Sequence, residues 1–295
     1  MKKRIFPIVV TALTVTLMAG FKMNNKPTTN SNNSISACQA EDDTLITDSV
    51  VFRKTTKEAD VHIYVDWPEE QSPVKEAIAN CVEECFKNYF ITAIYGNPDA
   101  KIPQYQAKQQ NAQALVIFYG EENVKAILKK YQNNIAEGMT TDVPYINDIS
   151  IKRTTETNKY VTYTAMTYLY LGGAHGSTLS RSFNFSKLTN KKIDKTIDTT
   201  KVKELQPLLR KGLLQYFSEA GEQKITKNEL KGYLLIEGDQ IPLPVTQPIL
   251  TPEGLSFIYG QYEIAPYAMG MPSFVVPYKE IQKYMTKEAK ELINK

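Results

Sequence analysis

Residues 159–171 read Lys159-Tyr160-Val161-Thr162-Tyr163-Thr164-Ala165-Met166-Thr167-Tyr168-Leu169-Tyr170-Leu171. Tyrosine and threonine dominate, and both suit a pleated, half-buried surface better than a helix. Tyr145–Thr155 has the same texture, and Glu156-Thr157-Asn158 between the two runs reads as a hairpin turn. Leu179–Phe185 alternates again, with Phe183 and Phe185 on one face. Three successive strands are therefore expected here.

Upstream the pattern is mixed. Ser49–Lys54 and Val61–Trp67 read as two antiparallel strands, the second alternating Val61, Ile63, Val65 and Trp67 against His62, Tyr64 and Asp66. Pro68 stops that strand, and Pro73 opens a helix. Val74, Ile78, Cys81, Val82, Cys85, Phe86, Tyr89 and Phe90 follow helical spacing on it. A segment around Gln106–Tyr119 and a second over Glu121–Ala136 are expected as helices, with Gly138 as the stop.

Downstream, Lys201–Phe217 is an amphipathic helix, and Pro248–Tyr259 is a hairpin turning at Thr251-Pro252-Glu253-Gly254. Ser273–Val276 is a last strand, followed by short helices over Tyr278–Met285 and Lys287–Asn294. Strand runs and helix runs are segregated, so the expected class is α+β: an antiparallel sheet with packed helices in two intimately associated modules. The expected division is 1–37 signal peptide and polar leader, 38–44 acidic tether, 45–140 N-terminal module, 145–285 C-terminal module and 286–295 a terminal helix.

The first residues point to export. Lys2, Lys3 and Arg4 precede a mostly apolar run from Ile5 to Ala19, which has the form of a signal peptide and is too short for a membrane span. Cleavage near Gly20 is one reading. Ile35-Ser36-Ala37-Cys38 has the form of a lipobox, which makes Cys38 a lipidation candidate. Gln39-Ala40-Glu41-Asp42-Asp43 behind it resembles the acidic tag of some surface lipoproteins. The expected location is the periplasm or the outer surface, with the membrane reached only through a lipid anchor or an uncleaved signal.

Five of the 35 basic residues and none of the 32 acidic ones precede Cys38, so the remainder carries 30 against 32, a net charge of −2. That balance gives no footprint for nucleic acid. Cys81 and Cys85 fall on the buried stripe of their helix and read as small hydrophobes. With three cysteines and two histidines in the chain, no metal or cofactor site is expected.

Three pieces stand out from this background: Tyr170-Leu171-Gly172-Gly173-Ala174-His175-Gly176 leading to Arg181-Ser182-Phe183-Asn184-Phe185; the turn Leu250–Leu255; and Tyr262-Glu263-Ile264-Ala265-Pro266-Tyr267-Ala268-Met269-Gly270 with Val276-Pro277-Tyr278. In order and spacing they resemble the RsiV-like C-terminal family of unknown function, found in the extracellular region of lysozyme-sensing anti-sigma factors. Residues 45–140 look like its usual partner module. Related modules occur beside a peptidoglycan deacetylase domain and alone in envelope lipoproteins. With only Met1–Phe6 at its head, the chain is not expected to hold a cytoplasmic sigma factor. Nothing resembles the deacetylase catalytic domain.

The resemblance implies a recognition protein that binds an extracellular or periplasmic protein such as lysozyme, or peptidoglycan, without catalysis. Tyr262, Tyr267, Met269, Met271 and Pro272 are the binding candidates, with His175 beside them, since large apolar residues with few rotamers anchor interfaces. Tyr262 and Tyr267 are expected to buttress this loop and Ala268–Pro272 to form its exposed tip. The alternative is a cell-wall glycan hydrolase or a deacetylase-associated enzyme with His175 as general base, tuned by Glu263 or Asp239. A structural His175, hydrogen-bonded to a backbone carbonyl at a glycine-rich turn, is weighted above that role. A purely structural envelope component is the third reading.

Overall fold

The computed structural model describes residues 47–68, 71–97, 99–106, 111–139, 141–221 and 224–294, which lie within one compact unit. The expected signal peptide, tether and Cys38 lie outside the described residues. The strands are β1 (Thr47–Thr55), β2 (Ala59–Pro68), β3 (Tyr145–Glu156), β4 (Tyr160–Tyr170), β5 (Ser177–Ser186) and β6 (Lys191–Ile193), hydrogen-bonded in that order into one sheet. The class is α+β as expected, with one difference: β2 and β3 run parallel. A parallel pair needs a long crossover. Here it carries α1 (Lys75–Cys85), α2 (Ile91–Tyr95) and α3 (Ala112–Ala136).

Alternation decides which face those helices cover. Ala59, Val61, Ile63, Val65 and Trp67 point inward from β2 and are buried with Ile78, Cys85, Phe86, Leu115 and Ile127 from the helices. The two helical segments expected at 106–119 and 121–136 are one continuous helix. Gly120 lies mid-helix because the Phe52 ring of β1 packs where a side chain would stand: a Cβ there would meet the ring at 2.5 Å.

The second core belongs to the C-terminal third. It gathers α4 (Val202–Ala220), α5 (Leu230–Tyr233), the small sheet β7 (Ile249–Leu250), β8 (Leu255–Ile258) and β9 (Ser273–Val276), and the terminal helices α6 (Tyr278–Ile281) and α7 (Lys287–Ile293). The cores divide near residue 186, not at 140–145 where the sequence texture changes. The reason is the sheet itself, since β3–β5 share it with β1 and β2.

The two parts are joined by polar groups that satisfy one another. On the far face of β5, Asn184 donates to the Pro248 carbonyl at 3.1 Å and accepts from Leu250 N at 2.8 Å. Ser182 N donates to Thr246 Oγ1 at 2.6 Å, and Thr178 N to Gln261 Oε1 at 2.7 Å. Buried groups paired this way fix register, because an unpaired one costs about 1–3 kcal/mol. This cover reaches only the β5 end. Toward β1 the outer face stays open, with Val51, Met166 and Tyr168 exposed. Among the described residues no helix is long and apolar enough to cross a membrane.

Candidate functional site

The connection from β4 to β5 is Leu171-Gly172-Gly173-Ala174-His175-Gly176. Gly172 and Gly173 take φ of +87° and +93°, and the Tyr145 hydroxyl lies 2.9 Å from where a Gly172 Cβ would sit. Only glycine holds that backbone without strain. The turn delivers His175 to the surface. Its Nδ1 lies 2.9 Å from the Gly176 carbonyl, and its ring stacks on Tyr267 with centroids 3.9 Å apart at 23°.

Tyr267 comes from the second module. Its hydroxyl donates to the same Gly176 carbonyl at 3.1 Å, and its ring stands 5.7 Å from that of Tyr262. On the other side of Gly176 lies Tyr168, whose ring occupies the space a Cβ would need, at 2.5 Å. Tyr168 is cross-strand from Asp148, and Asp148 from His62, with His62 Nδ1 3.3 Å from Asp148 Oδ1. One row of side chains thus runs across the open face, from His62 through Tyr168 and His175 to Tyr267 and Tyr262.

Tyr262 is the most unusual member. It is 58% exposed and sits at φ +61°, a left-handed conformation that a bulky residue rarely adopts. Glu263 holds it there. One carboxylate oxygen accepts Gly260 N and the other Val245 N, both at 2.6 Å. Both oxygens of Glu263 are thereby engaged by backbone, and no hydrogen bond or ion pair joins it to His175 among the described residues. Asp239 pairs instead with Lys231 at 3.5 Å.

The loop tip differs from its expected form. Tyr262, expected as a buttress, is the exposed residue, whereas Pro272 is buried and its carbonyl accepts Tyr259 N at 2.8 Å. Met269 and Met271 are half-buried, and the Met269 carbonyl accepts the Tyr216 hydroxyl at 2.8 Å. The reason is the second core, which draws in Met269 and leaves Ala268 outside. Tyr168 and Met166 were not singled out in the sequence. Their signal was available: they occupy the outward phase of β4, where polar residues are the norm. Cys81 and Cys85 are free and buried, with their thiols pushed up by burial, Cys81 to about 11. Among the described residues no three His, Cys, Asp or Glu side chains gather where they could hold a metal ion.

Comparison with known proteins divides the chain near the same place as its cores. Residues 95–178 match the family model "Deacetylase PdaC", and residues 186–279 match "Protein of unknown function (DUF3298)". No curated protein matches the chain in sequence. A solved DUF3298 family member from Bacteroides fragilis is 18% identical, with a TM-score of 0.57 over 83% of this chain and 94% of that one. A DUF3298 family protein from Pseudomonas aeruginosa PAO1 is 13% identical, with a TM-score of 0.53 over 84% and 97%. His175 and Tyr168 fall in the first matched segment and Tyr262 and Tyr267 in the second, so the aromatic row spans their junction. The chain therefore joins a segment that matches the PdaC model to one that matches the DUF3298 model, and it has the fold of solved DUF3298 family proteins.

Proposed function

We propose that this is an exported, lipid-anchored envelope protein that recognises a macromolecular partner through the aromatic row and performs no catalysis. One observation carries the reading: an exposed tyrosine held in a left-handed backbone by a carboxylate bracing two N–H groups. Such a conformation costs about 1–3 kcal/mol, and strain of this kind concentrates at ligand-binding sites. The rings beside it are pre-ordered by stacking and hydrogen bonds, which lowers the entropy cost of docking. Cys38 is the proposed anchor.

The resemblance to lysozyme-sensing extracellular regions makes lysozyme the leading partner and peptidoglycan the next. Calorimetry of the purified protein against several lysozyme classes tests this. A dissociation constant at or below about 10 μM is expected for at least one. Tyr262→Ala should weaken it about 30-fold, the loss of one central aromatic anchor. Absence of heat with every lysozyme at high micromolar concentration removes lysozyme as the partner.

The match to a deacetylase model motivates a second reading, turnover of cell-wall glycan at His175. Muropeptide turnover that is measurable and abolished by His175→Ala would replace the binding reading with that one.

A further inference from the structure

A second surface, away from the aromatic row, concentrates positive charge. Two neighbouring recesses of about 680 and 450 Å3 lie along the terminal helices and share Lys290 as a wall. Six lysines line them: Lys195, Lys201, Lys279, Lys283, Lys287 and Lys290. They come from four chain segments, the loop after β6, the entry to α4, α6 with its extension, and α7.

The carboxylates on these walls are Asp198 and Glu280, and both are already engaged. Asp198 accepts from Thr200 and pairs with Lys201 at 3.4 Å, and the Thr200 hydrogen bonds hold its carboxyl below the usual range. Glu280 pairs with Lys211 at 2.9 Å. Lys195, Lys279, Lys287 and Lys290 have no carboxylate partner among the described residues. Beyond residue 38 the chain is slightly acidic overall, so this clustering is local and not a reflection of composition.

We propose that the paired groove binds a linear phosphate polymer, its successive charges tracking the lysines on either side of Lys290. Three features favour this ligand. The surface is doubled, two open recesses that share the Lys290 wall, which gives an extended chain a continuous path across both. All six cations are lysines, compact ammonium groups whose rotatable N–H donors can meet phosphate oxygens at varied angles, without the fixed geometry of an arginine fork. Like charges crowded in one groove repel, and a polyanion relieves that repulsion.

Calorimetry of the full-length protein with medium-chain inorganic polyphosphate tests the proposal. Four unpaired lysines, at a slope of about −0.7 per phosphate contact, predict an affinity loss of about 50-fold between about 50 and 200 mM salt. Lys279→Gln/Lys287→Gln/Lys290→Gln should abolish most binding and flatten that slope. Lys57→Gln/Lys101→Gln/Lys129→Gln, which removes equal charge from exposed positions elsewhere, should bind as the parent does. Polyphosphate should also raise the melting temperature of the parent. No binding at about 50 mM salt, equal losses in both triple variants, or binding to phosphatidylglycerol vesicles but not to polyphosphate would each overturn it.

Discussion

The rings of His175 and Tyr267 lie 3.9 Å apart, and His175 Nδ1 and the Tyr267 hydroxyl reach one acceptor, the carbonyl of Gly176. His175 belongs to the connection between two strands of the large sheet, Tyr267 to the loop that closes the small one. The stack therefore ties a surface feature of one module to that of the other, and neither ring is free to turn without losing its neighbour.

Tyr267→Phe separates the two contributions of that side chain. The ring stack survives and the hydrogen bond to Gly176 is lost, a cost of about 1 kcal/mol in urea denaturation. Partner affinity should hardly change. Tyr267→Ala removes the ring from between His175 and Tyr262, and affinity should fall about tenfold or more. Equal affinities for the Phe and Ala variants would show that the stack does not order the site.

Glu263 gives a sharper test of catalyst against brace. Its two oxygens accept Gly260 N and Val245 N. In Glu263→Gln one of those donors faces an amide NH2 and stays unpaired, which costs about 1–3 kcal/mol. The melting temperature should drop, and Tyr262 should lose its fixed backbone and with it partner affinity. A Gln variant as stable as the parent would argue for a carboxylate with work other than holding the loop.

Much of this arrangement was legible in the sequence because it depends on local periodicity. The alternation in Val61–Trp67 and in Ser273–Val276 obeys period two, the turn at Glu156–Asn158 has turn-forming residues between two strand runs, and each forms where its local signal places it. The aromatic row was legible in its parts, as the His175 turn and the Tyr262–Tyr267 loop. Its assembly was not, because pairing β2 with β3 across three helices is a long-range choice with no local signature. Nor could spacing reveal that Met269 is drawn toward the second core while Tyr262, seven residues earlier, is held out by a positive φ. The lysine groove was hidden for the same reason: it gathers residues from four segments in a chain whose net charge is nearly balanced.

Gly120 marks where local reasoning gave two helices and packing gave one. In an exposed helix Gly→Ala would stabilise by about 1 kcal/mol. Here the new Cβ meets the Phe52 ring at 2.5 Å, and overpacking costs about 1–3 kcal/mol. Gly120→Ala should therefore destabilise the protein in chemical denaturation. Adding Phe52→Leu, itself a cavity-forming change, should recover part of the loss. That non-additivity is the signature of direct contact, and additive losses would remove Phe52 as the cause.

The alkaline limit of stability should carry a contribution from Cys81. Burial pushes its thiol from an ordinary 9.0 up to about 11, so the folded state resists losing a proton that the unfolded chain gives up readily. The sign follows directly. Below pH 9 the thiol is protonated in both states and its share of stability is complete. As pH rises from 9 toward 11 the unfolded state ionises first, and stability falls by an amount on the order of 2–3 kcal/mol. Buried tyrosines Tyr119, Tyr163, Tyr259 and Tyr278 are shifted upward by burial as well and steepen the decline further up the scale. Cys81→Ala isolates the thiol: below pH 9 the variant should be the less stable by the small packing loss, and between pH 9 and 11 the two stability curves should cross, because only the parent carries the thiol's decline. In the same range iodoacetamide should label Cys81, read by peptide mapping, far more slowly in the folded parent than in the urea-unfolded chain, because the thiolate is the reactive form. Rapid labelling of Cys81 itself in the folded protein at pH 8 would mean that this thiol is open to solvent and not part of the first core.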